Sequence, residues 1–336
     1  MYIGKSYKLS EFIIWTRKSI YVLLVISIVP TVLYEVFDLK WLGISWTVVA
    51  LLGTATAFIV GFKNTQTYNR TVEAQQIWTF ILNTSRSWGI MSRDFINDPE
   101  KSKLLIYRHF AWLTALRYEM RSYRIWEASQ KKHNAEYQQF YYVIPENEIS
   151  LEDELSKFLS PEELEYILKT KNKATQIMAL QSKTLKKLFD DEEIVLLQFV
   201  DFHRTIKDFY AQQGRSEQLK DSPYPRQYAI INTLLVHLFC FLLPFGLLKE
   251  FDKMNDTVTG IAQGNMVWLV IPFSVIISWM YTSLGQVGES TENPFEGNAN
   301  DVPISQISKI IEIDLREMLG ETDLPVLAEA QHNIVL

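Results

Sequence analysis

The side chains able to do covalent or acid–base chemistry are few and scattered. The five histidines, at positions 109, 133, 203, 237 and 332, form no H-E-x-x-H or comparable metal-ligand spacing. The single cysteine, Cys240, lies in an apolar run, which rules out an intrachain disulfide and leaves the redox compartment open. There is no phosphate-cradling glycine loop and no G-x-S-x-G nucleophile elbow. The carboxylate clusters at 152–154, 162–165 and 190–193 read as solvated faces and loops. An enzyme is therefore not expected. Residues 63–226 carry 24 Lys/Arg and 23 Asp/Glu, whereas 282–336 carry 2 basic and 10 acidic residues. The net charge of −6 thus sits in the tail, and no basic footprint for nucleic acid exists.

One constellation has physical rather than covalent chemistry. Thr54, Phe58 and Phe62 stand four residues apart, so on a helix they share one face, one turn below another. Gly53, Ala57 and Gly61 form a separate small-residue stripe of the kind that lets helices approach closely. Copies of such a helix around an axis would stack the phenylalanines into apolar rings, a constriction able to gate by dewetting. Spacing alone leaves open a plainer reading, in which Phe58 and Phe62 pack against lipid or another helix.

The element that carries this column must be a membrane span. About 20 mostly apolar residues cross about 30 Å of hydrocarbon. Four stretches qualify: 20–36 with Pro30 inside it, 44–62 with no charge, 228–248 with His237, and 257–281, apolar from Met266 onward. The expected divisions are a tail at 1–19, spans one and two within 20–62, a helical domain at 63–226, spans three and four within 227–281, and a tail at 282–336. Lys5, Lys8, Arg17 and Lys18 precede the first span, Lys63 and Arg70 follow the second, and Lys220 and Arg226 precede the third. The first outer loop offers only Lys40, and Lys249 and Lys253 in the second face Glu250, Asp252 and Asp256. This bias places both termini and the central domain in the cytosol. His237 within the bilayer reads as a hydrogen bond to a neighbouring helix.

The central region reads as helical, with few β-branched alternations; Ser160-Pro161-Glu162-Glu163 is a helix start, and 131–149 reads as a polar loop. The tail holds turn chemistry at 292–303 and then an amphipathic helix with Ile307, Ile310, Ile311, Met318 and Leu319 near one face. The fold class is all-α: four spans plus a cytosolic helical domain.

The run LLGTATAFIVGFKNTQTYNRTVEAQQIWTFILNTSRSWG at 51–89 resembles the signature of the bestrophin family. RHFAWLTALRYEMR at 108–121, SPYPRQYAIINTLLVHLF at 222–239 and ENPFEGNANDVP at 292–303 resemble further blocks of that family in the same order. The resemblance implies a pentamer of identical subunits in the cell membrane, with four spans each and cytosolic termini. It implies passive conduction of small monovalent ions through a central pore whose neck is lined by Thr54, Phe58 and Phe62. Thr54 departs from the family's usual aliphatic residue and makes that ring wetter. A second, cytosolic aperture would fall at Val195 or Leu197. Calcium in animal members binds an acidic cluster after the fourth span. Here the matching set is Glu292, Asn293, Glu296 and Asp301, a weak one because the consecutive aspartates are missing. No cofactor is expected, and calcium dependence is not. Phenyl edges facing the axis would favour anions, chloride first, while an acidic tail lining a vestibule would favour sodium. A membrane-anchored sensor or scaffold without conduction is the alternative from another class. A secondary transporter would need inverted repeats with paired broken helices, which four spans around a large insertion do not provide.

Overall fold

The computed structural model describes residues 1–336, the side chain of Ile261 excepted. Twelve α-helices follow in chain order. They are α1 Leu9–Glu35, α2 Trp46–Asp94, α3 Pro99–Arg121, α4 Lys132–Tyr141, α5 Pro145–Glu148, α6 Leu151–Leu155, α7 Pro161–Leu168, α8 Lys173–Asp190, α9 Leu196–Asp221, α10 Arg226–Met254, α11 Val270–Ser290 and α12 Ile304–Met318. Among the described residues there is no strand, only the isolated bridges of Ile334 with Tyr2 and Gln331. The chain is all-α.

Two compact units divide it. The membrane unit comprises Lys5–Asn69 and Pro223–Glu292; the polar unit comprises Met1–Gly4, Arg70–Ser222 and Asn293–Leu336. Four helical stretches are long and apolar enough to cross a bilayer: Leu9–Glu35, Lys40–Asp94, Arg226–Met254 and Met266–Ser290. The chain is a membrane protein.

Inside the membrane unit, α1, α10 and α11 pack around Leu23, Val236, Phe239, Leu243 and Val270. Apolar side chains gain little by leaving lipid for one another, so close approach and hydrogen bonds hold such helices together. Ser27 and Ser274 join hydroxyls at 2.7 Å, Trp279 Nε1 donates to Thr16 Oγ1 at 2.9 Å, and Tyr281 OH donates to the Gly53 carbonyl at 3.2 Å. The fourth span begins at Met266 rather than at position 257. Gly260 and Gly264 take φ of +83° and +79°, and Asn255 Oδ1 accepts the Gly264 and Met266 N–H groups, so the chain turns before its helix can start.

The polar unit has an aromatic core. Trp78, Trp88, Trp112, Phe202 and Phe209 are buried completely or nearly so, and the rings of Trp88, His109, Trp112 and Phe209 lie 4.6–6.1 Å apart. Trp112 Nε1 finds Gln213 Oε1 at 3.0 Å, which satisfies the indole donor inside the core. The caps follow the sequence signals: Ser160 Oγ accepts from Glu163 N, and Pro161 opens α7. The stretch 131–149, expected as a loop, holds α4 and α5; Pro145 opens α5 at the first helical position. On α12 the buried apolar face is Ile304, Ile311 and Leu315, with Ile307 and Leu319 partly buried against the same core.

Candidate functional site

The candidate site is one face of α2. Within the membrane unit this helix carries no charge from Trp46 to Phe62. One side is packed: Val49, Thr56, Val60, Lys63 and Thr67 are all at most 2% exposed. Gly53 stands so close to Phe239 that a Cβ there would meet its ring at 2.7 Å, and Gly246 of α10 gives the same room to Val49. The other side is open. Leu51, Thr54, Phe58, Phe62 and Thr65 are exposed, Phe58 at 78% and Phe62 at 50%. Steps of three and four residues keep them in one column, each about 5–6 Å below the last.

The column is less polar than its residue types suggest. The Thr54 hydroxyl donates to the Ala50 carbonyl at 2.9 Å, and that of Thr65 to Gly61 at 3.0 Å. Both donors are spent on their own helix, and what remains outward is a methyl group and oxygen lone pairs. Of the small-residue stripe, Gly53 is packed within the chain, while Ala57 and Gly61 are exposed and a Cβ at Gly61 would meet nothing within 4 Å. His237 lies exposed on α10 and has no partner within the chain, so it does not make the interhelical hydrogen bond expected of it.

In the polar unit, Val195 caps α9 and is 61% exposed; Leu196 and Leu197 follow at 60% and 77%. Three consecutive exposed aliphatic side chains at a helix head are unusual for a water-facing surface. The Val195 N–H donates to Gln198 Oε1 at 2.9 Å, which fixes the turn that presents them.

The residues matched to a calcium site are partly engaged by internal donors, while Asn293 Oδ1 and Asp301 Oδ1 are buried with no hydrogen-bond partner. Asp301 Oδ2 accepts the N–H groups of Gly297 and Asn298 at 2.7 and 3.0 Å and lies 3.9 Å from the Arg121 guanidinium. Glu296 accepts from Asn293, Asn298 and the Ala128 N–H. Burial pushes Glu296 up to about 8 and Asp301 up to about 6. Glu292, in the membrane unit, is paired with Lys63 and Arg226. Among the described residues no group of three or more His, Cys, Asp or Glu side chains could hold a metal. Calcium takes six to eight oxygens.

The structure thus describes four helices long and apolar enough to span a membrane, with an uncharged, exposed column on the second of them. Residues 11–317 match the profile of the bacterial/fungal bestrophin proteins, and the chain belongs to that family. It is 26% identical over 295 residues to the voltage-dependent anion channel-forming protein YneE of Escherichia coli (strain K12), covering 86% of this chain and 84% of that one. It is 22% identical over 288 residues to the voltage-dependent anion channel-forming protein RSc3414 of Ralstonia nicotianae, covering 84% and 80%. The crystal structure of a bacterial bestrophin homolog from Klebsiella pneumoniae matches the fold with a TM-score of 0.74 at 21% identity, covering 90% of this chain and 98% of that one.

Proposed function

We propose that the chain is one subunit of a pentameric channel that conducts small anions, chloride first, passively across the cell membrane. The single observation that carries this reading is the division of α2 into a packed face and an exposed, charge-free face bearing Thr54, Phe58 and Phe62. Five such faces around an axis form a neck of two phenyl rings below a threonine ring whose hydroxyls bond back to their own helices. Ala57 and Gly61, open within the chain, give neighbouring copies room to close around that axis. Val195 or Leu197 forms the second, cytosolic aperture, and both termini lie in the cytosol.

Selectivity for anions follows from where the acidic charge is spent. Three of the tail's carboxylates are engaged: Asp314 with Arg86 at 2.8 Å, Glu312 with Lys309 at 3.1 Å and Glu321 with Lys103 at 2.9 Å. They are thus weak attractors for sodium, while phenyl edges offer an anion their positive rim. Names given to relatives, voltage-dependent anion channel-forming proteins, agree with this direction. The reading carries no calcium requirement, because the consecutive aspartates are missing and Glu296 and Asp301 Oδ2 already accept internal donors.

Purified protein in liposomes, with chloride and sodium gradients imposed separately, tests the reading. Chloride efflux exceeds sodium efflux, and chelating calcium leaves both unchanged. Phe58→Ala raises the flux and lowers the discrimination between the two ions. Liposomes that pass neither ion would leave a membrane-anchored scaffold as the surviving alternative.

A further inference from the structure

The membrane unit holds one buried cation on its pore helix, and it stands directly after the neck. Lys63 follows Phe62 by one residue, about 100° round the helix, so Phe62 faces out while Lys63 turns into the packed face. Its side chain is 3% exposed. The Lys63 Nζ lies 3.9 Å from Glu292 Oε2, and Arg226 Nη1 lies 3.2 Å from Glu292 Oε1. The three groups come from three places in the fold: α2, the first residue of α10, and the chain just past the end of α11.

Neighbouring contacts are fitted to this triad. A Cβ on Gly288 of α11 would meet Asn64 Oδ1 at 2.6 Å and Lys63 Cε at 3.7 Å, so only glycine leaves the space that these side chains fill. One turn further along, Thr291 Oγ1 donates to Thr67 Oγ1 at 3.3 Å. A lysine buried in this place is best tolerated beside a carboxylate, and removing one member of such a group weakens the hold on the others. None of the three acts on an ion directly, since none belongs to the exposed column.

We propose that Lys63, Glu292 and Arg226 form a latch that positions the lower end of the neck. The buried carboxylate of Glu292 ties α2 to the start of α10 and the end of α11, and so fixes how far Phe62 projects. Lys63, Glu292 and Arg226 are positioning residues for conduction, a role that rests on the channel reading above. The latch also explains why the first charge after a charge-free span is turned inward instead of into the column.

The test uses the full chain in liposomes, with chloride flux and the chloride-to-sodium permeability ratio as readouts. Lys63→Met and Glu292→Gln each change the permeability ratio at least fivefold. The double variant, which leaves no stranded buried charge, returns closer to wild type than the product of the single effects. Lys63→Arg, which keeps the charge, retains the wild-type ratio. A residue important only for folding lowers the number of active channels and leaves the ratio untouched, so the ratio separates positioning from stability. Arg226→Gln, at the half-exposed partner, covers the case in which a buried variant does not fold, and it shifts the ratio in the same direction as Glu292→Gln. Wild-type ratios in all folded variants of the triad overturn the latch and leave the channel standing. A wild-type protein that passes no ion overturns both.

Discussion

The two units use aromatic residues in opposite ways. In the polar unit Trp78, Trp88, Trp112 and Phe209 are fully buried, and the rings of Trp88 and Trp112 both pack on Phe209. In the membrane unit Phe58, Phe62, Phe241 and Phe273 are 49–78% exposed. The hydrophobic effect rewards removing apolar area from water, which favours burying rings in a water-facing unit. In a bilayer that reward is absent, and rings are free to face outward while small residues and hydrogen bonds pack the interior. Aromatic side chains therefore carry stability in one unit and are available for function in the other.

The sharpest way to break that contrast is to shorten one ring in each unit. Trp112→Ala removes a fully buried indole and strands Gln213, and should cost about 3–5 kcal/mol of stability, read as a large drop in the unfolding temperature. A drop of only a degree or two would mean that the polar unit's core is not what holds it.

A second prediction uses pH. His109 is buried among Trp88, Trp112 and Phe209, its Nε2 lies 2.8 Å from Ser85 Oγ, and burial lowers its pKa to about 3. The folded state thus keeps His109 neutral while the unfolded chain protonates it below about 6.5. Stability from this group is complete above that value and is lost as the pH falls toward 3, by at most about 1.4 kcal/mol per pH unit. Comparing the unfolding temperatures of His109→Gln and wild type between pH 7 and 4 isolates this slope; parallel curves would show that the imidazole is charged in the fold.

Phe58→Ala is the counterpart in the membrane unit. With the ring 78% exposed in the chain, thermal stability should shift by less than about 1 kcal/mol while ion flux changes several-fold. Equal losses in stability and flux would place Phe58 in packing rather than in a passage. The smallest effect is at the surface: Arg86→Ala breaks its 2.8 Å pair with Asp314 and should cost about 0–1 kcal/mol, less at high salt.

Much of this organisation was legible in the residues, for a physical reason: spans announce themselves by length and absence of charge, and four of them are found at about the expected places. Local propensity was less informative where tertiary contacts or single glycines decide. The helix at 132–141 is mostly polar with no clear apolar period, and the start of the fourth span is displaced by two left-handed glycines that apolar counting does not detect. On α12 the buried face includes Leu315, four residues on from Ile311 and so on the same face, although it is absent from the apolar set named from the sequence. The four-residue spacing of Thr54, Phe58 and Phe62 puts them on one face of α2, but that this face is open within the chain depends on where α10 and α11 pack. Lys63 was read only as a topogenic charge, because its burial against Glu292 joins positions far apart in the chain. His237 illustrates the same gap: that it faces outward from α10 depends on which side of the helix its neighbours choose.

Gly61 sits between the two phenylalanines of the column, and an added methyl there would touch nothing in the chain. Glycine in a helix interior is worse than alanine by roughly 1 kcal/mol, so this position gives up rigidity without any packing return inside the subunit. The consequence is local: of the three residues between Phe58 and Phe62, Gly61 is the one that favours the helix least, so α2 is held there least by its own backbone.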